Sequence, residues 1–155
     1  MLERLTDGFP MKLMGGIFFL TLEKQLAMLL LFGILIFLDC FTRWIAISHA
    51  HLVSCGRQPT FLEAVCGIRE ARRQRLISSE IMKKRGTEKL ILYNLCVAAG
   101  IVSDALLQEA GASTDGMAGI VVSYLAATEA LSVIENLSDA GVSSMTELLK
   151  KLRGR

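Results

Sequence analysis

Residues 26–47, LAMLLLFGILIFLDCFTRWIAI, form an apolar run interrupted by one carboxylate, Asp39, and one guanidinium, Arg43. A hydrocarbon core about 30 Å thick is crossed by roughly 20 helical residues, so the run is long enough to span a bilayer. Charge inside such a span is costly unless it is paired or reaches water. Asp39 and Arg43 stand one helical turn apart, a spacing at which they neutralise one another while Arg43 extends towards the interface. The run thus fixes a membrane setting and marks Asp39 as a residue kept for packing or gating.

Two further segments extend this reading. Residues 90–107 carry a single charged residue, Asp104, and residues 116–134 carry only Glu129. Neither shows a repeated charged face, which favours membrane spans over buried helices of a soluble bundle. The composition agrees: 52% of residues are hydrophobic and only 21% charged, giving a mean hydropathy of +0.48. Residues 9–22 form a shorter apolar stretch that becomes a fourth span if Glu23 and Lys24 make an outer turn. Glu3 and Asp7 beside Arg4, with no clean small-x-small cleavage site, argue against a signal peptide. The expected class is an all-α integral membrane protein with three or four hydrophobic helical segments plus short amphipathic helices.

Charge placement orders these segments. Between Gly56 and Lys89, Arg57, Arg69, Arg72, Arg73, Arg75, Lys83, Lys84, Arg85 and Lys89 outnumber Glu63, Glu70, Glu80 and Glu88. Residues 104–115 hold acids and no Lys or Arg, and the tail restores Lys150, Lys151, Arg153 and Arg155. Excess Lys and Arg mark cytoplasmic segments, so the basic 56–89 loop and the 137–155 tail are expected inside and the acidic turn outside. The loop has its own order. Thr60 and Glu63 have capping-box spacing, and Phe61, Val65, Ile68 and Leu76 give an apolar face suited to an interfacial helix near anionic lipid or to packing on neighbouring loops. In the tail, Asp139-Ala140-Gly141-Val142 reads as a helix stop. Ser144 and Glu147 repeat the capping spacing before a short basic amphipathic helix.

No catalytic pattern is present: there is no phosphate-binding Gly-rich loop, zinc-protease motif or nucleophile elbow. The expectation is a non-enzyme without cofactors. His49, His51, Cys55 and Cys66 match no common zinc module, and Cys40 and Cys96 lie in apolar segments unsuited to a disulfide framework. Nucleic acid is not an expected partner. The polar residues within the spans are the candidates for contact or gating: Asp39, Arg43, Asn94, Glu129, Glu135 and Asn136. Glu129, Ser132 and Asn136 share one helical face. Gly119, Ser123 and Ala127 form a small-x-x-x-small ladder that permits close helix approach, making this helix the candidate for association.

These landmarks together resemble the phage holin family associated with toxin secretion and phage lysis. Leu38-Asp39-Cys40-Phe41-Thr42 resembles the family's Leu-Asp-x-x-Thr-Gly; Ser78-Ser79 and the basic Lys83-Lys84-Arg85-Gly86 precede an apolar helix as in the family. Residues 130–142 resemble its Ser-x-x-Glu-Asn followed by Gly-Val, and Gly15-Gly16 match a glycine-bearing first segment. The family-like positions are Asp39, Thr42, Glu135, Asn136 and Gly141. Three departures stand out: Arg43 replaces the Gly after Thr42, the loop over residues 50–76 is longer and richer in arginine, and Ser143-Ser144 replaces a proline-containing sequence.

The resemblance implies one holin-like membrane domain over 1–155. It implies a homo-oligomer in the bacterial cytoplasmic membrane that permeabilises the bilayer and lets a cell-wall hydrolase or toxin out. Two other readings stay open on the residues alone. One is a non-pore-forming membrane adaptor that recruits a partner through the basic loop; the other is a small ion channel or transporter using the acidic residues within the spans.

Overall fold

A computed structural model describes residues 9–111 and 116–154, with side chains described from residue 26 onward. The turn residues 112–115 and the side chains of the 9–22 segment, Gly15-Gly16 included, lie outside that description. Five helices follow in order: α1 (Phe9–Ser54), α2 (Phe61–Arg73), α3 (Ser79–Glu109), α4 (Met117–Asp139) and α5 (Ser143–Leu152). Among the described residues there is no strand.

The 46-residue α1 is about 69 Å long at 1.5 Å per residue, more than twice a hydrocarbon core. It runs unbroken through Glu23 and Lys24, so the outer turn expected there is absent. The local chemistry explains why: residues 17–32 contain neither Gly nor Pro, and Glu and Lys are good helix formers. Among the described residues, three stretches are long and apolar enough to cross a membrane: Leu26–Ser54, Ser79–Glu109 and Met117–Asp139. Their outward faces carry Leu31, Phe37, Leu95, Leu106, Ile120 and Tyr124, all well exposed. In lipid, hydrocarbon takes the place of water on these faces.

The 56–89 segment is mostly helix, which corrects its description as a loop. Thr60 caps α2: its hydroxyl accepts from the Glu63 amide while the Glu63 carboxylate accepts from the Thr60 amide at 2.7 Å. Those bonds favour the charged carboxylate and hold Glu63 below the ordinary glutamate value. The buried face of α2 consists of Ala64 and Ala71, flanked by Val65 and Ile68, and it packs on α1 around Ile45. Small residues allow that approach: a Cβ at Gly67 would come within 2.5 Å of Ser48 Oγ. Arg75 takes a left-handed φ of 60° and turns the chain, and Ser78 then caps α3 through the Ile81 amide. The last turns of the supposed loop, Ser79 to Lys89, are therefore the charged first turns of α3, ahead of its apolar part.

α3 and α4 form an antiparallel hairpin. The N-cap of α4 is Gly116, which has no side chain to offer. Asp104, thirteen or more residues earlier on α3, supplies the acceptor instead, at 2.8 Å from the Met117 amide and 3.0 Å from that of Ala118. Gly100 makes room, since a Cβ there would stand 2.8 Å from Ala118 Cα. At the opposite end α4 stops at Asp139, and Gly141, at φ 84°, packs against the His49 ring. The expected Ser144–Glu147 cap does not form. α5 starts two residues earlier, at Ser143, with Val142 in the cap position and its carbonyl accepting from the Met145 and Thr146 amides; Ser144 is therefore already inside the helix.

Two apolar clusters hold the described helices: the first joins α1, α3 and α4, and the second seats α2 and the end of α4 on α1. The first contains Phe32, Ile36, Tyr93, Val97 and Leu125; the second contains Ile45, Ala64 and Ala140. Between them lies a polar layer.

Candidate functional site: a charged layer between three helices

Helical spacing brings the layer together. On α1, Asp39 and Thr42 are three residues apart; on α3, Lys89 and Tyr93 are four apart; on α4, Glu129, Ser132 and Asn136 continue down one face. Lys89 is the hub. Its Nζ donates to Asp39 Oδ2 at 2.8 Å and to Glu129 Oε1 and Oε2 at 2.9 and 3.2 Å. The Tyr93 hydroxyl donates to Glu129 Oε1. Asp39 Oδ1 accepts from Ser132 Oγ at 2.5 Å and from Asn136 Nδ2 at 2.9 Å. The Asn136 amide also reaches the Asp39 carbonyl and Thr42 Oγ1, both at 3.2 Å. Thr42 in turn donates to the Leu38 carbonyl at 2.9 Å.

Exposure across the three charges is graded, with 1% at Glu129, 14% at Asp39 and 36% at Lys89. The ammonium is therefore the end nearest solvent and Glu129 the end sealed in the helices. A cleft of about 310 Å³ opens beside Lys89, with Arg43, Arg85, Glu135 and Asp139 among its walls. It gives water a route to the layer from the basic end of the molecule, which lowers the cost of holding ions between apolar helices. Two carboxylates share one ammonium here, so the layer depends on Lys89 more than on either acid. Its chemistry is ion pairing and hydrogen bonding; among the described residues, no group of three or more His, Cys, Asp or Glu is placed to hold a metal.

The residues singled out from the sequence divide into three sets. Asp39, Thr42, Glu129 and Asn136 meet in the layer. Arg43 and Glu135 stand at its basic rim, and Gly141 lies further along, against His49. Arg43 pairs across helices with Asp139 at 3.6 Å and not with Asp39, because Asp39 turns into the bundle and Arg43 is half exposed. Glu135 accepts from Arg153, the C-cap of α5, at 2.5 Å. The third set faces outward: Asn94 is exposed and returns its amide to the Leu90 carbonyl at 2.7 Å, while Gly119, Ser123 and Ala127 form an exposed strip with open space around Gly119.

Lys89 and Tyr93 were missed by sequence reasoning. Lys89 was counted as part of a basic flank, and Tyr93 as an apolar residue of a span. Their i, i+4 spacing at the entrance to residues 90–107 was the available signal, since two carboxylates on neighbouring spans need a cation at the same depth.

Residues 59–154, more than half of the chain, match the Bacteriophage holin family. No curated protein and no solved structure matches the chain significantly. The matched region includes α2 to α5, and so the Lys89, Tyr93, Glu129, Ser132 and Asn136 side of the layer. With three helices able to span a membrane and a family match that runs almost to its end, this chain is a membrane-integral member of the Bacteriophage holin family.

Proposed function

We propose that the protein self-assembles in the bacterial cytoplasmic membrane and permeabilises it, opening a route by which a cell-wall hydrolase or toxin leaves the cell. The observation that carries this reading is the charged layer inside helices whose outward faces are apolar. Three helices bound by Lys89 have too little perimeter to enclose a protein-sized passage, so opening takes place between protomers. The exposed Gly119, Ser123 and Ala127 strip on α4 supplies a face for close association. In the assembled state the layer of Asp39, Lys89, Glu129 and Asn136 keeps the helices of each protomer together, and its solvent-facing edge at Lys89 and Glu135 borders a water-filled lesion between protomers. The basic 56–89 segment and the C-terminal tail face the cytoplasm, in line with their Lys and Arg content.

The test is controlled bacterial expression with and without a leaderless cell-wall hydrolase. Abrupt lysis confined to co-expression, with release of a cytoplasmic reporter, is the expected outcome. Normal membrane insertion with neither leakage nor lysis would instead point to an adaptor, and ion currents without protein release to a channel. Ala127→Leu places a bulky side chain on the association strip and is expected to change the oligomer distribution and delay leakage. An unchanged distribution removes that face from the proposal.

A further inference from the structure

A second cleft, of about 400 Å³, opens where α1, α2 and α3 meet, lined by Phe37, Phe41, Trp44 and Met82 with Arg72 and Lys83 beside them. The aromatic residues follow at i, i+4 and i+7 along α1, a rise of about 10 Å. The Phe37 and Phe41 rings stack, with centroids 6.3 Å apart and planes inclined by 9°. Phe37 lies at the depth of Asp39 and hence of Lys89, where the apolar part of α3 begins; Trp44 lies towards the basic end. The wall thus runs from hydrocarbon depth to interface depth, the position in which aromatic side chains collect.

Charge is left over here. Arg72 and Lys83 come from different helices, both are exposed, and neither makes an ion pair with a described residue. A cleft with an apolar wall along the membrane normal and two such cations at its outer end complements a phosphate diester attached to acyl chains. A zwitterionic headgroup brings its own cation and gains less from Arg72 and Lys83 than a headgroup of net negative charge.

We propose that this cleft binds one anionic phospholipid. Its phosphate sits between Arg72 and Lys83, and an acyl chain lies along Trp44, Phe41 and Phe37. This goes beyond permeabilisation and does not depend on it: an adaptor or a channel with the same fold would carry the same site.

Trp44 is the chain's only tryptophan, so its fluorescence reads the cleft directly. The full chain is placed in phosphatidylcholine nanodiscs containing a rising fraction of either phosphatidylglycerol or phosphatidylcholine brominated on the acyl chains, which quench on contact. Saturable quenching by brominated phosphatidylglycerol is expected, at a mole fraction lower by about tenfold or more than for brominated phosphatidylcholine. R72Q/K83Q is expected to abolish that preference, K150Q/K151Q on α5 to retain it, and soluble glycerophosphate to leave the quenching unchanged. Equal quenching by the two lipids overturns the proposal, as does equal loss of preference in K150Q/K151Q, which would show general surface attraction. Displacement by glycerophosphate overturns it in favour of a free-phosphate site. If R72Q/K83Q fails to fold, the lipid comparison on the unaltered chain together with that on K150Q/K151Q decides the matter.

Discussion

The apolar layer around Phe32 and the charged layer around Lys89 lie about two turns apart on α1 and join the same three helices in different ways. In the first, Phe32 meets Tyr93 edge to face with centroids 5.6 Å apart, and Ile36, Val97 and Leu125 fill the space around them. In water such a cluster would drive folding. In lipid the tails outside are as apolar as the side chains inside, and close packing is what remains. The charged layer has no equivalent partner in lipid. Separating the helices there leaves Asp39, Glu129 and Lys89 to find water or remain unpaired, so this layer fixes which helices meet and in what register. The apolar layer tolerates exchange; the charged one does not.

Lys89→Met gives the largest break in that contrast. It leaves Asp39 and the sealed Glu129 facing one another without a cation, a loss on the order of 3–5 kcal/mol for a broken buried pair. Unfolding in a detergent titration followed by helicity is expected to shift strongly, with Lys89→Arg recovering part of the loss; an unchanged midpoint for Lys89→Met means that the charged layer does not hold the bundle. Asp39→Asn comes next and costs less, about 1–3 kcal/mol, the range for hydrogen bonds to a charged group. It leaves Lys89 and Glu129 as a matched pair, so the same titration should rank it between Lys89→Met and the unaltered chain. Phe32→Leu conserves apolar character and should cost less than about 1.5 kcal/mol. A Phe32→Leu effect as large as that of Asp39→Asn would erase the distinction between the layers.

The smallest effect lies outside the spans and tests whether α2 is independent of both layers. The folded Glu63 carboxyl is held below the ordinary value of 4.5 by its bonds to Thr60. Its contribution is therefore complete above the unfolded value and disappears as pH falls through the lower folded one. Amide exchange in the first turn of α2 should accelerate over that acidic window and lose that dependence in Glu63→Gln, which removes the titrating carboxyl, while amides near Lys89 stay protected. Simultaneous loss of protection in both places would show that α2 and the charged layer open together.

Much of the charged layer was legible because its acids violate their surroundings. Asp39 and Glu129 are single charges in apolar runs, and Ser132 and Asn136 follow Glu129 at helical spacing. Their partner was not legible by the same rule, because Lys89 stands at the edge of a span where a cation is ordinary. Its long side chain reaches a residue fifty positions earlier in the chain, and only the tertiary arrangement selects that contact over Glu88 or solvent. Arg43 shows the opposite failure: spacing alone offered Asp39 as its partner, but the helix faces point those side chains apart. The hairpin cap was hidden for a similar reason. Gly116 gives no cap of its own, and Asp104 serves as one only once α3 and α4 lie side by side.

The unbroken course of α1 has a mechanical consequence. From Asp39 to Ser54 the helix extends about 22 Å, so a tilt of about 10° at the charged layer carries its far end some 4 Å. Because Ala64 and Ala71 seat α2 on that same stretch, α1 acts as a lever: a small loosening at Lys89 is magnified at the membrane surface, and a force applied to α2 is returned to the layer with mechanical advantage.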